Sequence, residues 1–255
     1  MQNLIADAVP HSDGTLCHTL TSPYQAGETA IHVLRPDDFD PGQTARVLYV
    51  LPVEPDNGQQ WGDALAAVRQ LDLHNTHRLI CIKPTFSQSP WYADHPSDRH
   101  IRQESHFLKV VVPFVDATYS STPHRRLLLG FSKSGWGAFS LLLRHPARFA
   151  KAAAFDAPLG SERPYRYGMS EVFETQDNMN RYCVVDLLRE SAESLAGESR
   201  LALCDHCDFR GQMQFLHYYM LKLGIPHTYH DGTRDRHRWD SGWLPAAVEF
   251  LAAND

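Results

Sequence analysis

The sequence predicts a single α/β domain, a mostly parallel central sheet with helices on both faces, and three observations predict it. Strand-like and helix-like segments alternate from about residue 45 onwards, the pattern of a layered α/β fold. The middle strand-like runs (VLYVLPV, RLLLG, AAAF, LALC) are almost continuously apolar, as strands covered by helices on both faces require. The 255 residues, 43% hydrophobic and 21% charged, suffice for one sizeable core, and α/β domains of this size are often undivided.

In chain order, the segment up to residue 34 reads as short antiparallel strands ending with 31–34. Strands follow at 45–53, 78–82, 126–130, 151–155 and 200–204, with a weaker one at 227–230. Helical patterns fall at 61–71, 103–119, 134–145, 181–194, 212–223 and 244–253. No repeat, low-complexity tract or linker interrupts them, so residues 1–255 read as one domain. Two insertions, at about 83–101 and 158–180, are long for mere connections. They are rich in turn formers and aromatics, which favours ordered lids or pocket walls. Trp91, Tyr92, Trp136, Tyr165 and Tyr167 are the aromatic candidates for those walls.

A formal net charge of −6 argues against a general nucleic-acid binder, which needs a basic face. No run approaches the ~18 apolar residues of a membrane span, and no membrane partner is expected. The N-terminal MQNLIADAVPHSDG has neither a basic nor a long apolar region, so no signal peptide is expected. Five cysteines, an odd number without framework spacing, suit reduced thiols and a cytoplasmic protein. Cys204, His206 and Cys207 lack a second pair at zinc spacing, so no metal is expected.

The strongest local signal is RLLLGFSKSGWGA at 126–138. A buried strand enters a Gly/Ser-rich corner and leaves as an apolar helix. A nucleophilic serine on such a corner has a strained backbone, and its neighbours two before and two after must be small. Gly130 and Ser134 satisfy this around Ser132, whereas Ser134 as nucleophile would put Trp136 in a small-residue position. The following helix aims N–H groups and the positive end of its dipole at the hydroxyl. A phosphate loop would need glycines at 127 and 132, where Leu127 and Ser132 stand.

The partners of such a serine follow in the order acid, then histidine, from later strand ends. Of 15 histidines, His237 lies between the last strand and the last helix, where a general base is delivered. His217 falls inside a helix and His227 and His230 in a strand. For the acid, Asp208 is preferred, because a few residues of loop carry its carboxylate back over the sheet. Asp205 ranks second and Asp156, in AAAFDAP, third. The oxyanion donors are expected at Lys133 N and in the loop after strand 45–53, at Val53 or Glu54. Beside the serine, the Lys133 ammonium is expected to favour acyl groups carrying negative charge.

Three stretches, GFSKSGWGAFSLLLRHPARFAKAAAFDAP (130–158), PWYADHP (90–96) before QESHFLKVVVPFVDATY (103–119), and HRWDSGW (237–243), resemble the esterase D family, which includes feruloyl esterases and mycolyltransferase-like acyl transferases. The resemblance spans about residues 45–250. It implies the α/β-hydrolase fold and cofactor-free cleavage or transfer of a small carboxylic ester, with Ser132, Asp208 and His237 in the catalytic roles. Phe131 and Lys133 depart from the family's G-H-S-x-G-G corner, and Pro52-Val53-Glu54 from its His-Gly. An acyl transferase and a non-catalytic protein of the same fold are the alternatives.

Overall fold

The apolar runs form the centre of one 10-stranded sheet. In the computed structural model, which describes residues 4–253, the strands are β1 (Leu4–Ile5), β2 (Val9–Pro10), β3 (Leu16–Thr21), β4 (Glu28–Leu34), β5 (Arg46–Val50), β6 (Leu79–Pro84), β7 (Arg126–Phe131), β8 (Lys151–Phe155), β9 (Leu201–His206) and β10 (His227–Thr233). Their order is β1-β3-β4-β6-β5-β7-β8-β9-β10, with β2 paired to β3. From β6 to β10 every pairing is parallel. The N-terminal strands continue the sheet antiparallel beyond β6.

The helices are α1 (Ala64–Gln70), α2 (Leu73–Thr76), α3 (Gln103–His106), α4 (Val112–Tyr119), α5 (Ser132–Arg144), α6 (Ser170–Phe173), α7 (Gln176–Asn180), α8 (Val184–Leu195), α9 (Arg210–Leu223) and α10 (Leu244–Ala252). Successive strand residues face opposite sides, so each central strand feeds two cores. Leu128 of β7 and Ala152 and Ala154 of β8 pack with Phe139 and Leu142 of α5, Leu188 of α8 and Met213 of α9. Leu127 and Leu129, with Ala153 and Phe155, pack on the other face with Val68 of α1 and Val248 and Leu251 of α10. Neither face meets water, which is why alternation is missing from these strands.

Four expectations need correction. The strand expected over 45–53 stops at Val50, although Leu51 N still donates to Leu129 O (2.9 Å), and residues 52–53 turn out over the sheet edge. The helix expected at 103–119 contains a π turn at Phe107–Val111, just before Pro113, which lacks the N–H a regular helix needs. The insertion at 158–180 holds α6 and α7 rather than being loop throughout. The helix expected from 61 begins at Ala64, capped by the Asp63 carboxylate on Leu65 N and Ala66 N, which leaves Trp61 in a loop.

α3, which follows the insertion at 83–101, is tied to the end of α5 through one buried carboxylate. Glu104 accepts from Arg144 Nε (2.8 Å) and Nη2 (3.0 Å) and pairs with His145 Nε2 (2.7 Å), while Tyr182 donates to it at 3.3 Å. Burial alone would raise its pKa, but the hydrogen bonds and charges of His145 and Arg144 outweigh it and hold the carboxyl at about 2. A depressed carboxyl pKa stabilises the folded state above the unfolded value and loses that contribution as pH falls through the folded value. Glu104→Gln is therefore expected to lower Tm at neutral pH. It should also flatten the acid limb of Tm against pH between about 4.5 and about 2. An unchanged acid limb would show that the pair carries no stability.

Candidate active site

Ser132 stands where β7 becomes α5, and the backbone there is forced. Its φ is +51°, a left-handed value that a non-glycine residue adopts only when its surroundings hold it there. Packing does so. A Cβ on Gly130 would lie 2.3 Å from Ser134 O and 2.6 Å from Gly135 N, both backbone atoms that cannot move aside. A Cβ on Gly135 would lie 2.8 Å from Ala157 Cβ and 3.0 Å from Ala154 Cβ, so the glycine lets α5 close onto β8. Ser134 does more than stay small. Its Oγ donates to Phe131 O (2.9 Å) and accepts from Phe131 N (3.0 Å), clamping both sides of the corner.

Ser132 and His237 open onto one cleft of about 300 Å³ at the carboxyl ends of the parallel strands. The imidazole sits between aromatic edges, with Phe131 at 4.9 Å, Trp61 at 5.6 Å and Phe209 at 5.7 Å between ring centroids. Its loop is pinned across the cleft, where Trp239 N donates to Trp61 O (3.0 Å) and Arg238 Nη1 to Gln60 O (3.1 Å).

The carboxylate against His237 is that of Asp156, not Asp208. His237 Nδ1 lies 2.6 Å from Asp156 Oδ2, and the Asp156 side chain is fully buried. Asp208 N (2.8 Å) and Phe209 N (2.7 Å) also donate to Asp156, so the 207–209 loop is a cradle for the acid and does not supply it. Burial raises the Asp156 pKa, and the hydrogen bonds from His237 and three backbone N–H groups more than offset this, leaving it below the usual carboxylate range. Asp208 is exposed at the cleft rim. Asp205, the second choice, accepts from Gly232 N (3.0 Å) and Arg234 Nε (2.6 Å) and joins β9 to the end of β10.

The other expected residues divide. Val53 and Lys133 line the cleft, and Lys133 N lies in the first turn of α5, where backbone N–H groups have no helical acceptor. Glu54 is not among the residues lining the cleft, and its carboxylate accepts from Gln60 N (3.0 Å) and Trp61 N (3.4 Å). Trp91, Tyr92 and Trp136 are fully buried and form no wall; Trp91 and Trp136 meet edge to face at 5.6 Å in the core below. Tyr165 is 74% exposed and lies away from the cleft. The walls are Trp61, Pro158, Tyr167 and Phe209. Trp61 opens a helical pattern and Phe209 follows a strand end, and neither position carries a local pattern that marks a pocket wall.

Lys133 Nζ donates to the neutral hydroxyl of Ser89, and burial pulls its pKa down against the charges of Glu54 and Glu171. Among the described residues, the one grouping of possible metal ligands with atoms within 4.8 Å is Asp156, Asp208 and His237. Two of these already bond to each other as a base and its orienting acid do. The five cysteines are all free. No helix among the described residues is long and apolar enough to cross a membrane.

A serine on a strained strand-to-helix corner, an imidazole on the last loop and a mostly parallel sheet define a serine hydrolase of the α/β-hydrolase fold. Residues 22–180, more than half of the chain, match the family described as "Putative esterase", and the chain belongs to this esterase family, acting on esters. No curated protein matches the sequence. Among solved structures, a ferulic acid esterase is similar at 18% identity and a TM-score of 0.73, over 93% of this chain and 96% of that one. An S-formylglutathione hydrolase from Agrobacterium tumefaciens is similar at 15% identity and a TM-score of 0.75, over 97% and 98%. A fluorophosphonate-binding serine hydrolase of Staphylococcus aureus is similar at 15% identity and a TM-score of 0.73, over 94% and 98%. These likenesses show the fold.

Gly130→Ala should distort the corner, because the new methyl meets backbone on two sides. A loss of about 1–3 kcal/mol is expected, read as a fall in Tm. An unchanged Tm would mean that the corner tolerates a Cβ and is not tightly closed.

Proposed function

We propose that the protein hydrolyses small carboxylic esters through an acyl-enzyme on Ser132, with His237 as general base and Asp156 as the acid that orients it. The observation that carries this reading is the 2.6 Å contact between His237 Nδ1 and the fully buried Asp156 carboxylate, in the cleft that Ser132 also lines. Asp156 holds the proton on Nδ1 and so leaves Nε2 as the acceptor. Ser132 Oγ attacks the ester carbonyl carbon as its proton passes to Nε2. The tetrahedral oxyanion takes hydrogen bonds from Lys133 N and Val53 N. Collapse breaks the C–O bond to the leaving alcohol, which takes the proton from His237. Water, deprotonated by the same nitrogen, then attacks the acyl-enzyme and releases the acid and free Ser132.

The acyl or alcohol part lies against Trp61, Pro158, Tyr167 and Phe209, a mainly apolar wall. Lys133 also lines the cleft, and its ammonium donates to the neutral hydroxyl of Ser89. Esters with a carboxylate a few bonds from the carbonyl are therefore the favoured substrates. Five free thiols, four of them buried, suit a reducing compartment such as the cytoplasm.

Two measurements test the reading. Asp156→Asn keeps the shape but can stabilise the wrong imidazole tautomer, and kcat should fall by up to ~10⁴, the magnitude known for a serine protease. Asp208→Asn and Asp205→Asn should keep kcat within about tenfold per folded molecule, on the same scale. A catalytic loss confined to Asp208→Asn would reverse the assignment. For Lys133, kcat/KM is compared for a neutral ester and its carboxylate-bearing isostere. The wild type should prefer the anion, and Lys133→Met should lower that preference by about tenfold, equivalent to one charge contact of ~1.4 kcal/mol. An unchanged ratio removes the charge preference and leaves the hydrolase reading intact.

A further inference from the structure

Tyr92 was expected in the pocket wall, yet it is fully buried and its hydroxyl donates to Pro52 O at 2.7 Å. Pro52 O belongs to the same peptide unit as Val53 N–H. There are no cis peptide bonds among the described residues, and across a trans peptide the C=O and N–H point in opposite directions. A carbonyl drawn inwards to Tyr92 therefore turns the Val53 N–H outwards, and Val53 lines the cleft that holds Ser132. Val53 is only 3% exposed, and its N–H has no protein acceptor among the described residues. A buried donor left open towards a cleft suits an incoming oxygen.

The tyrosine is held from several sides to do this. Its φ is +57°, a strained value for a bulky residue. Tyr92 N and Trp91 N both donate to the buried Gln103 Oε1 (3.0 and 2.7 Å), while Gln103 Nε2 donates to Ser89 O (3.1 Å). The ring lies so close to Gly137 of α5 that a Cβ there would come 2.1 Å from Tyr92 Cδ2. Phe86 meets the ring edge to face at 5.3 Å. Burial keeps the phenol protonated, as a donor to a carbonyl must be. The same helix, α5, thus presents Lys133 N and seats the residue that turns the second donor.

We propose that Tyr92 is a positioning residue of the oxyanion hole, its hydroxyl orienting the Pro52–Val53 peptide so that Val53 N–H faces the carbonyl oxygen of the substrate; this rests on the hydrolase reading above. Val53, rather than Glu54, is then the second donor.

The test compares Tyr92→Phe with Phe86→Leu, which loosens the packing on the same ring but keeps the hydroxyl. Losing one oxyanion donor costs about 10²–10³ in kcat, so a donor that is only misdirected should cost at least about tenfold. For Tyr92→Phe, kcat is expected to fall by that factor with KM within about twofold on that scale. The Ki of a trifluoromethyl ketone, whose adduct carries the oxyanion, should rise by the same factor as kcat/KM falls. Phe86→Leu should lower Tm without moving that Ki. In the unmutated protein, the Val53 amide proton should shift downfield when the ketone adduct forms, a measurement that needs no variant to fold. An unmoved Val53 resonance, an unchanged Ki in Tyr92→Phe, or an equal rise in Phe86→Leu overturns the proposal. If the unmutated protein forms no adduct at Ser132, the hydrolase reading itself fails, which is a distinguishable result.

Discussion

The site depends on a close approach, that of α5 to β7 and β8 at residues 130–135. The chain must reverse from strand to helix within one residue, Ser132, whose φ of +51° no isolated serine would hold. Gly130 and Gly135 remove the side chains that would block the turn, and the hydroxyl of Ser134 closes it from both sides. Left-handed φ at Ser132 and Tyr167, which line the cleft, and at Asp156 and Tyr92, buried beneath it, marks four strained residues at one site. Backbone strain of order 1–3 kcal/mol per residue persists where surrounding structure over-determines it, here two cores and a 10-stranded sheet.

From that corner the rest follows by adjacency in the sheet. β8 is the direct neighbour of β7, so the residue after its last position, Asp156, arises beside Ser132 and below the loop from β10. A buried carboxylate there needs donors, and the loop after β9 supplies backbone N–H groups, those of Asp208 and Phe209 among them, while His237 adds its ring nitrogen. The carboxylate that meets His237 thus sits one strand nearer Ser132 than one carried on the loop after β9.

The fold was legible because its signals are local and repeated: apolar runs and the alternation of strand-like with helix-like segments mark nearly every central element within a few residues. Ser132 was legible for the same reason, since its constraint is written in adjacent small residues. The carboxylate beside His237 was not. Asp156, Asp205 and Asp208 all lie at or just after strand ends, and Asp156 and Asp205 share a left-handed φ, so what separates them is which side chain turns under His237 into a cradle 52 residues away. Of the five expected pocket-wall aromatics only Tyr167 lines the cleft, for a related reason. Trp91, Tyr92 and Trp136 stand in the right segments, but Gly137 opens room for Tyr92 inside the core, so these rings support the cleft from below.

The central claim is that the forced corner makes Ser132, and not its neighbour Ser134, the reactive hydroxyl. Ser134 is fully buried and spends its Oγ on Phe131, whereas Ser132 lines the cleft with His237. Fluorophosphonate treatment followed by peptide mass spectrometry decides between them. One adduct per chain, located on Ser132 and absent from heat-unfolded protein, is the predicted result. An adduct on Ser134, or none on the folded protein, would contradict the account.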